Sequence, residues 1–153
     1  MKIQTLEELH AFAQDFAHKL APTSDATVVA LSGELGAGKT TFVQQIAREL
    51  GVGEVVTSPT FVIEKIYALT GQRFSHLIHI DAYRLKNAHE LEVLGWEALT
   101  KEPGNLILIE WPERVPERIP EDAHRIRFDI DGDARIISIN GQEDDKGSEE
   151  AGR

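Results

Sequence analysis

Eight residues, Gly33-Glu-Leu-Gly-Ala-Gly-Lys39-Thr40, carry the strongest chemical signal in this sequence. Their spacing, G-x-x-x-x-G-K-T, is that of a loop that wraps phosphate oxygens. Gly33, Gly36 and Gly38 open backbone conformations closed to other residues, so successive N–H groups turn inward around a β-phosphate. Lys39 then supplies an ammonium to the β- and γ-oxygens, the Thr40 hydroxyl is placed to ligate magnesium, and Thr41 adds an α-phosphate contact. The chemistry implied is binding of a nucleoside triphosphate with Mg2+.

Splitting such a ligand also needs an acid at the end of a buried strand, to hold magnesium directly or through water and to orient the attacking group. Two apolar runs end that way, Leu77-Ile-His-Ile-Asp81 and Leu106-Ile-Leu-Ile-Glu110. Thr57-Ser-Pro-Thr60 supplies hydroxyls where a switch-like loop would sense a γ-phosphate, or is a turn built from turn-forming residues. Arg84, three residues after Asp81, would neutralise phosphate charge or lie on the surface. Trp111 reads first as a packing residue. His76, His79 and His89 form no tight ligand cluster, so zinc is not expected.

These residues need a scaffold, and the rest of the chain describes one. Thr27 to Ser32 is a short apolar run that reads as a buried strand, and Phe42, Val43, Ile46, Ala47 and Leu50 follow the loop at helical spacing with Gly51 as the stop. The order strand, glycine-rich loop, helix delivers the phosphate to a helix N-terminus. Ahead of it, Thr5 and Glu8 have capping-box spacing before Leu9, Phe12, Ala13, Phe16, Ala17 and Leu20, which predicts an amphipathic helix ending before Pro22. Phe61 to Leu69 and Phe74 to Asp81 read as a hairpin, Ala88 to Leu94 as a short helix closed by Gly95, and Arg125 to Ile130 with Arg135 to Ile139 as a last hairpin. Pro112, Pro116 and Pro120 keep the intervening segment irregular. Hairpins combined with a strand–loop–helix unit predict an α/β fold: a phosphate-loop NTPase, a three-layer sandwich with a mixed, partly antiparallel central sheet.

Composition bounds the rest. The chain of 153 residues suits one domain, expected over residues 1–141, and 142–153 is an acidic, polar stretch without aromatics that reads as a disordered tail. The absence of cysteine excludes disulfides and thiolate zinc sites. No apolar run reaches the roughly 20 residues of a membrane span, so a cytoplasmic protein without membrane association is expected. A formal charge of −10 has the wrong sign for a chain that grips a nucleic-acid backbone by itself. Any RNA contact is therefore expected to be indirect, shared with another subunit.

Five stretches in order, Gly33 to Phe42, Ser58-Pro-Thr-Phe61, His79-Ile-Asp-Ala-Tyr-Arg-Leu85, Glu90-Leu-Glu-Val-Leu-Gly95 and Ile109-Glu-Trp-Pro112, together resemble the TsaE family of tRNA threonylcarbamoyladenosine biosynthesis. The resemblance covers Thr5 to Ile139. It implies an ATPase, slow by itself, that supports a TsaD–TsaB complex in threonylcarbamoylation of a tRNA adenosine, with tRNA met indirectly through that complex. By the same resemblance Leu35, Gly36, Ala37, Gly38, Lys39 and Thr40 line the triphosphate, and Thr40 and Glu110 hold magnesium. Asp81 is a second acid acting through water or on the nucleophile, Thr60 is the switch threonine, Trp111 lies near the nucleotide or the partner, and Thr5 or Glu8 meets the nucleotide base. The runner-up is a small phosphate-loop phosphotransferase acting on a metabolite; against it stands the lack of an arginine-rich lid, since Arg84 is the only arginine close to a motif. A third reading is an interaction module in which nucleotide binding, without hydrolysis, is the signal.

Overall fold

A short N-terminal strand is tied to the far edge of the sheet before the first helix begins. The structure, a computed structural model, describes residues 1–34, 36–53 and 63–143. Strand β1 (Lys2–Ile3) precedes helix α1 (Leu6–Lys19). The start of α1 is set by the expected capping box: the Glu8 N–H donates to the Thr5 hydroxyl, and the Thr5 N–H donates to the Glu8 carboxylate. Strand β2 (Thr27–Gly33) runs through the loop into α2 (Lys39–Glu49). Strands β3 (Glu64–Ala68) and β4 (His76–Asp81) form the expected antiparallel hairpin. After α3 (Ala88–Val93), left-handed Gly95 starts a second short helix, α4 (Trp96–Thr100), which sequence spacing did not reveal because five residues are too few to show a helical period.

Strand β5 (Asn105–Glu110) is followed by two single 3-10 turns, Pro112–Arg114 and Pro116–Arg118, each begun by a proline that needs no N–H there. Strands β6 (His124–Asp131) and β7 (Ala134–Ile139) make the closing hairpin. Gln142–Glu143, placed by composition in the tail, forms strand β8 against β7 instead, because backbone pairing to an open edge asks little of side-chain type. Residues 144–153 lie outside the described residues.

The sheet order is β1-β7-β6-β2-β5-β4-β3, with β8 also on β7. The four inner strands β6, β2, β5 and β4 run parallel, and the outer ones are antiparallel. This is the mixed three-layer sandwich of a phosphate-loop NTPase. Alternation along each strand sorts the two cores: Val29, Leu31, Leu106 and Leu108 face α1 and α2, while Val28, Ala30, Ile107 and Ile109 face α3, α4 and the turns. Buried on both sides, β2 and β5 read as unbroken apolar runs. Because β2, β4 and β5 are parallel, their C-terminal ends meet on one edge, where the loop, Asp81 and Glu110 converge.

Among the described residues no helix is long and apolar enough to cross a membrane.

Candidate functional site

The glycine loop is shaped by close backbone approaches. Gly33 has φ 137°, and a Cβ there would meet the Phe128 carbonyl oxygen of the neighbouring strand at 2.2 Å, so no side chain fits. Gly38, the N-cap of α2, is left-handed and makes no side-chain cap. A helix start of this kind presents its first-turn N–H groups and positive dipole end to an anion. The helix is held in place by Phe42, fully buried, whose ring lies 5.7 Å from Phe12 and Phe16 and 5.6 Å from Phe128. Helix α1 thereby braces the loop from behind.

Lys39 is only 4% exposed. Its ammonium donates to the Gly33 carbonyl and lies 3.7 Å from the centre of the Trp111 ring. Burial pulls the ammonium below its ordinary pKa, opposed by the carboxylates of Glu110, Glu113 and Asp81.

Asp81 and Glu110 are register partners at the ends of β4 and β5. The Asp81 carboxylate accepts the Tyr83 N–H at 3.0 Å and so begins the 3-10 turn Ala82–Arg84. Burial raises its pKa; the Tyr83 hydrogen bond opposes this, Glu110 adds to it, and His79 and Lys39 oppose it. Glu110 is 3% exposed, and its Oε2 accepts a hydrogen bond of 2.7 Å from His79 Nε2. A cavity of about 190 Å³ is lined by Gly36, Gly38, Lys39, Thr40, Thr41, Asp81, Glu110 and Trp111. Its donor set is oxygen only: the Thr40 hydroxyl and two carboxylates suit a hard cation such as Mg2+. No group of three or more metal-ligating side chains occurs among the described residues, so a cation here depends on oxygens brought by phosphate and water.

Trp111 takes a left-handed backbone, φ 60° and ψ 51°, uncommon for a bulky residue. Its N–H donates to the Leu31 carbonyl at 3.1 Å. The bend sets the indole between Lys39 and Tyr83, whose ring is 5.0 Å away, and the Arg114 guanidinium lies 5.0 Å from the Tyr83 ring. On the other side of the loop a second cavity, about 240 Å³, is lined by Gln4, Thr5, Leu6, Gly36, Gly38, Thr41, Asp133 and Arg135 among others. Arg135 donates from Nε and Nη2 to the Gly36 carbonyl at 3.3 and 3.2 Å.

Of the residues singled out from sequence, Gly36, Gly38, Lys39, Thr40, Thr41, Asp81, Glu110 and Trp111 come together, and Ala37 and Thr5 fall on the second cavity. Glu8 does not line that cavity; its carboxylate is taken by the Gln4 and Thr5 N–H groups. Leu35 and the Thr57–Thr60 segment, including Thr60, lie outside the described residues. His79, Tyr83, Arg114 and Arg135 were not assigned to the site from sequence. For His79 a signal existed: alternation places it on the same face of β4 as Asp81. Arg114 and Arg135 correct the expectation that Arg84 alone approaches a motif: Arg114 follows Pro112 by two residues and lies over Tyr83, and Arg135 reaches the loop across the fold.

Comparison with known proteins gives a consistent identity. Residues 3–137 match the family model of threonylcarbamoyl adenosine biosynthesis protein TsaE. The chain is 30% identical over 142 residues to the tRNA threonylcarbamoyladenosine biosynthesis protein TsaE of Borreliella burgdorferi, covering 92% of this chain and 98% of that one. It is 43% identical over 103 residues to the protein of the same name in Streptomyces coelicolor, covering 67% and 68%. The crystal structure of Bacillus subtilis YdiB is similar with a TM-score of 0.69 at 30% identity, covering 88% of this chain and 79% of that one. The chain belongs to the TsaE family.

Proposed function

We propose that this chain is a magnesium-dependent ATPase that supports threonylcarbamoylation of tRNA adenosine in concert with a TsaD–TsaB complex. The observation that carries the reading is the single cavity in which Lys39, Thr40, Asp81 and Glu110 converge on a helix N-terminus, in a chain of the TsaE family. Lys39 leaves the Gly33 carbonyl for the β- and γ-oxygens, while the N–H groups of the loop and of Thr40 and Thr41 hold the remaining phosphate oxygens. Thr40 and Glu110 hold Mg2+, and Asp81 acts through water or on the attacking group. Bound magnesium supplies charge neutralisation on the phosphates. The second cavity, next to Thr41 and reaching Thr5, is the place for the nucleoside.

Hydrolysis by the chain alone is slow in this reading. Two arginines that approach the site are engaged, Arg135 on the Gly36 carbonyl and Arg114 over Tyr83, and a partner supplies the missing charge or ordering contact, as arginine fingers do elsewhere. With net charge −10, contact with tRNA runs through the partner complex, in the cytoplasm.

The test is phosphate release from Mg-ATP by the purified chain, alone and with TsaD–TsaB and tRNA. A slow basal rate that rises on adding the complex is expected. No response to the complex, with transfer of phosphate to a small acceptor instead, contradicts it.

A further inference from the structure

We propose that His79 is a positioning residue for Glu110: its imidazole fixes which way the carboxylate faces and thereby strengthens the hold of the site on a divalent cation. The inference rests on the reading of Glu110 as a magnesium ligand and deepens it.

His79 and Asp81 share one face of β4, and Leu108 and Glu110 share one face of β5. Register pairs His79 with Leu108 and Asp81 with Glu110. The imidazole therefore lies one step beneath the cavity and reaches up to the carboxylate, Nε2 to Oε2, at 2.7 Å. The acceptor is a carboxylate oxygen, so Nε2 carries the hydrogen. With Oε2 accepting from His79, Oε1 is the oxygen free of a hydrogen bond among the described residues, in a carboxylate that lines the cavity.

The ring is 0% exposed and lies on the core face that also carries Leu77, Leu106 and Leu108. Its Nδ1 is buried with no hydrogen-bond partner among the described residues. Packing alone would be served as well by a leucine, since a buried polar nitrogen left unpaired is a net cost. Among the described residues the one hydrogen bond the imidazole makes is that with Glu110. Outer partners of this kind commonly change metal affinity by about 10- to 100-fold.

The experiment uses Mn2+ as the cation probe, titrated onto the protein–ADP complex and read by electron paramagnetic resonance, for the parent, His79→Leu, His79→Gln, His79→Asn and Glu110→Gln. ADP affinity in EDTA is measured alongside by calorimetry. His79→Leu should weaken Mn2+ binding by about tenfold or more, with ADP affinity in EDTA kept within about twofold of the parent. His79→Gln, whose amide N–H reaches the same oxygen, should regain most of the loss, and His79→Asn, one bond shorter, should not. Parent-like Mn2+ affinity in His79→Leu overturns the proposal. So does an equal loss in all three His79 variants accompanied by lost ADP binding in EDTA, which is the mark of a packing role. If His79→Leu does not fold, the contrast between the glutamine and asparagine variants decides by the same criteria. Unchanged Mn2+ affinity in Glu110→Gln removes the magnesium role of Glu110 itself, and the proposal with it; a loss there beside a parent-like His79→Leu removes His79 alone.

Discussion

The Lys39 ammonium is bonded to the Gly33 carbonyl, the first residue of its own loop. A buried lysine in this position is satisfied without a ligand, at the place where a β-phosphate oxygen would otherwise meet it. Replacing Lys39 by Ala removes the charged donor that must be handed to the phosphate. Charge-assisted hydrogen bonds are worth about 1.5–3 kcal/mol, so Lys39→Ala should weaken ATP binding by roughly 10- to 100-fold, measured by calorimetry. Undiminished binding would place the triphosphate elsewhere.

Trp111 lies 3.7 Å from the ammonium that is to move. Its emission should therefore change when ATP binds. The other tryptophan, Trp96, is buried in the core cluster against which Trp111 packs and lines neither cavity beside the loop; its indole N–H donates to the Arg118 carbonyl at 3.0 Å. Fluorescence titration of Trp96→Phe should keep the ATP-dependent change, and Trp111→Phe should lose it. The reverse pattern would mean that the nucleotide is far from Lys39.

Asp81 gives a pH signature. Its pKa in the folded chain is raised, chiefly by burial, so the folded state holds its proton more tightly than the unfolded state does. The resulting stabilisation is complete below the unfolded value near 3.8 and is lost as pH rises through the higher folded value. At neutral pH the ionised carboxylate is a burden. Asp81→Asn keeps an oxygen for the Tyr83 N–H and drops the charge, so thermal denaturation without nucleotide should show a Tm above the parent at pH 7. That difference should shrink as pH falls toward 3.8. A variant less stable than the parent at pH 7 would show that the charge is satisfied in the fold.

Phe42 joins α1 to the helix that carries the loop. Truncation of a fully buried phenylalanine costs about 3–5 kcal/mol, and here the loss falls on the bracing of α2 by Phe12, Phe16 and Phe128. Phe42→Ala should lower the unfolding free energy from urea denaturation by that amount, while Phe42→Leu loses much less. Equal losses in both would point to ring-specific contacts as the source of the bracing.

What could be read from the sequence followed from local causes. The phosphate loop was legible because glycine spacing, Lys39 and Thr40 are contiguous, and Asp81 and Glu110 because each ends an apolar run. The capping box of Thr5 and Glu8 was legible as a helix start, and the structure uses both side chains for that purpose. Helix α4 was too short for its periodicity to show, and β8, two residues long, too short for any alternation. The link from His79 to Glu110 spans 31 residues and depends on the parallel register of β4 with β5. The approach of Arg135 to Gly36 spans 99 and depends on the β6–β7 hairpin closing over the loop. Neither pairing can be read from linear spacing, although alternation does put His79 on the face of Asp81.

The most direct test of the cavity as a hydrolytic site is phosphate release from Mg-ATP by Glu110→Gln beside the parent, both with TsaD–TsaB and tRNA and both with ATP binding measured. Release reduced by about 100-fold or more, the size of a lost electrostatic element at a reacting phosphate, with ATP still bound, is the result expected. Parent-like release from Glu110→Gln would contradict the assignment of Glu110, and with it the site built around Lys39, Thr40 and Asp81.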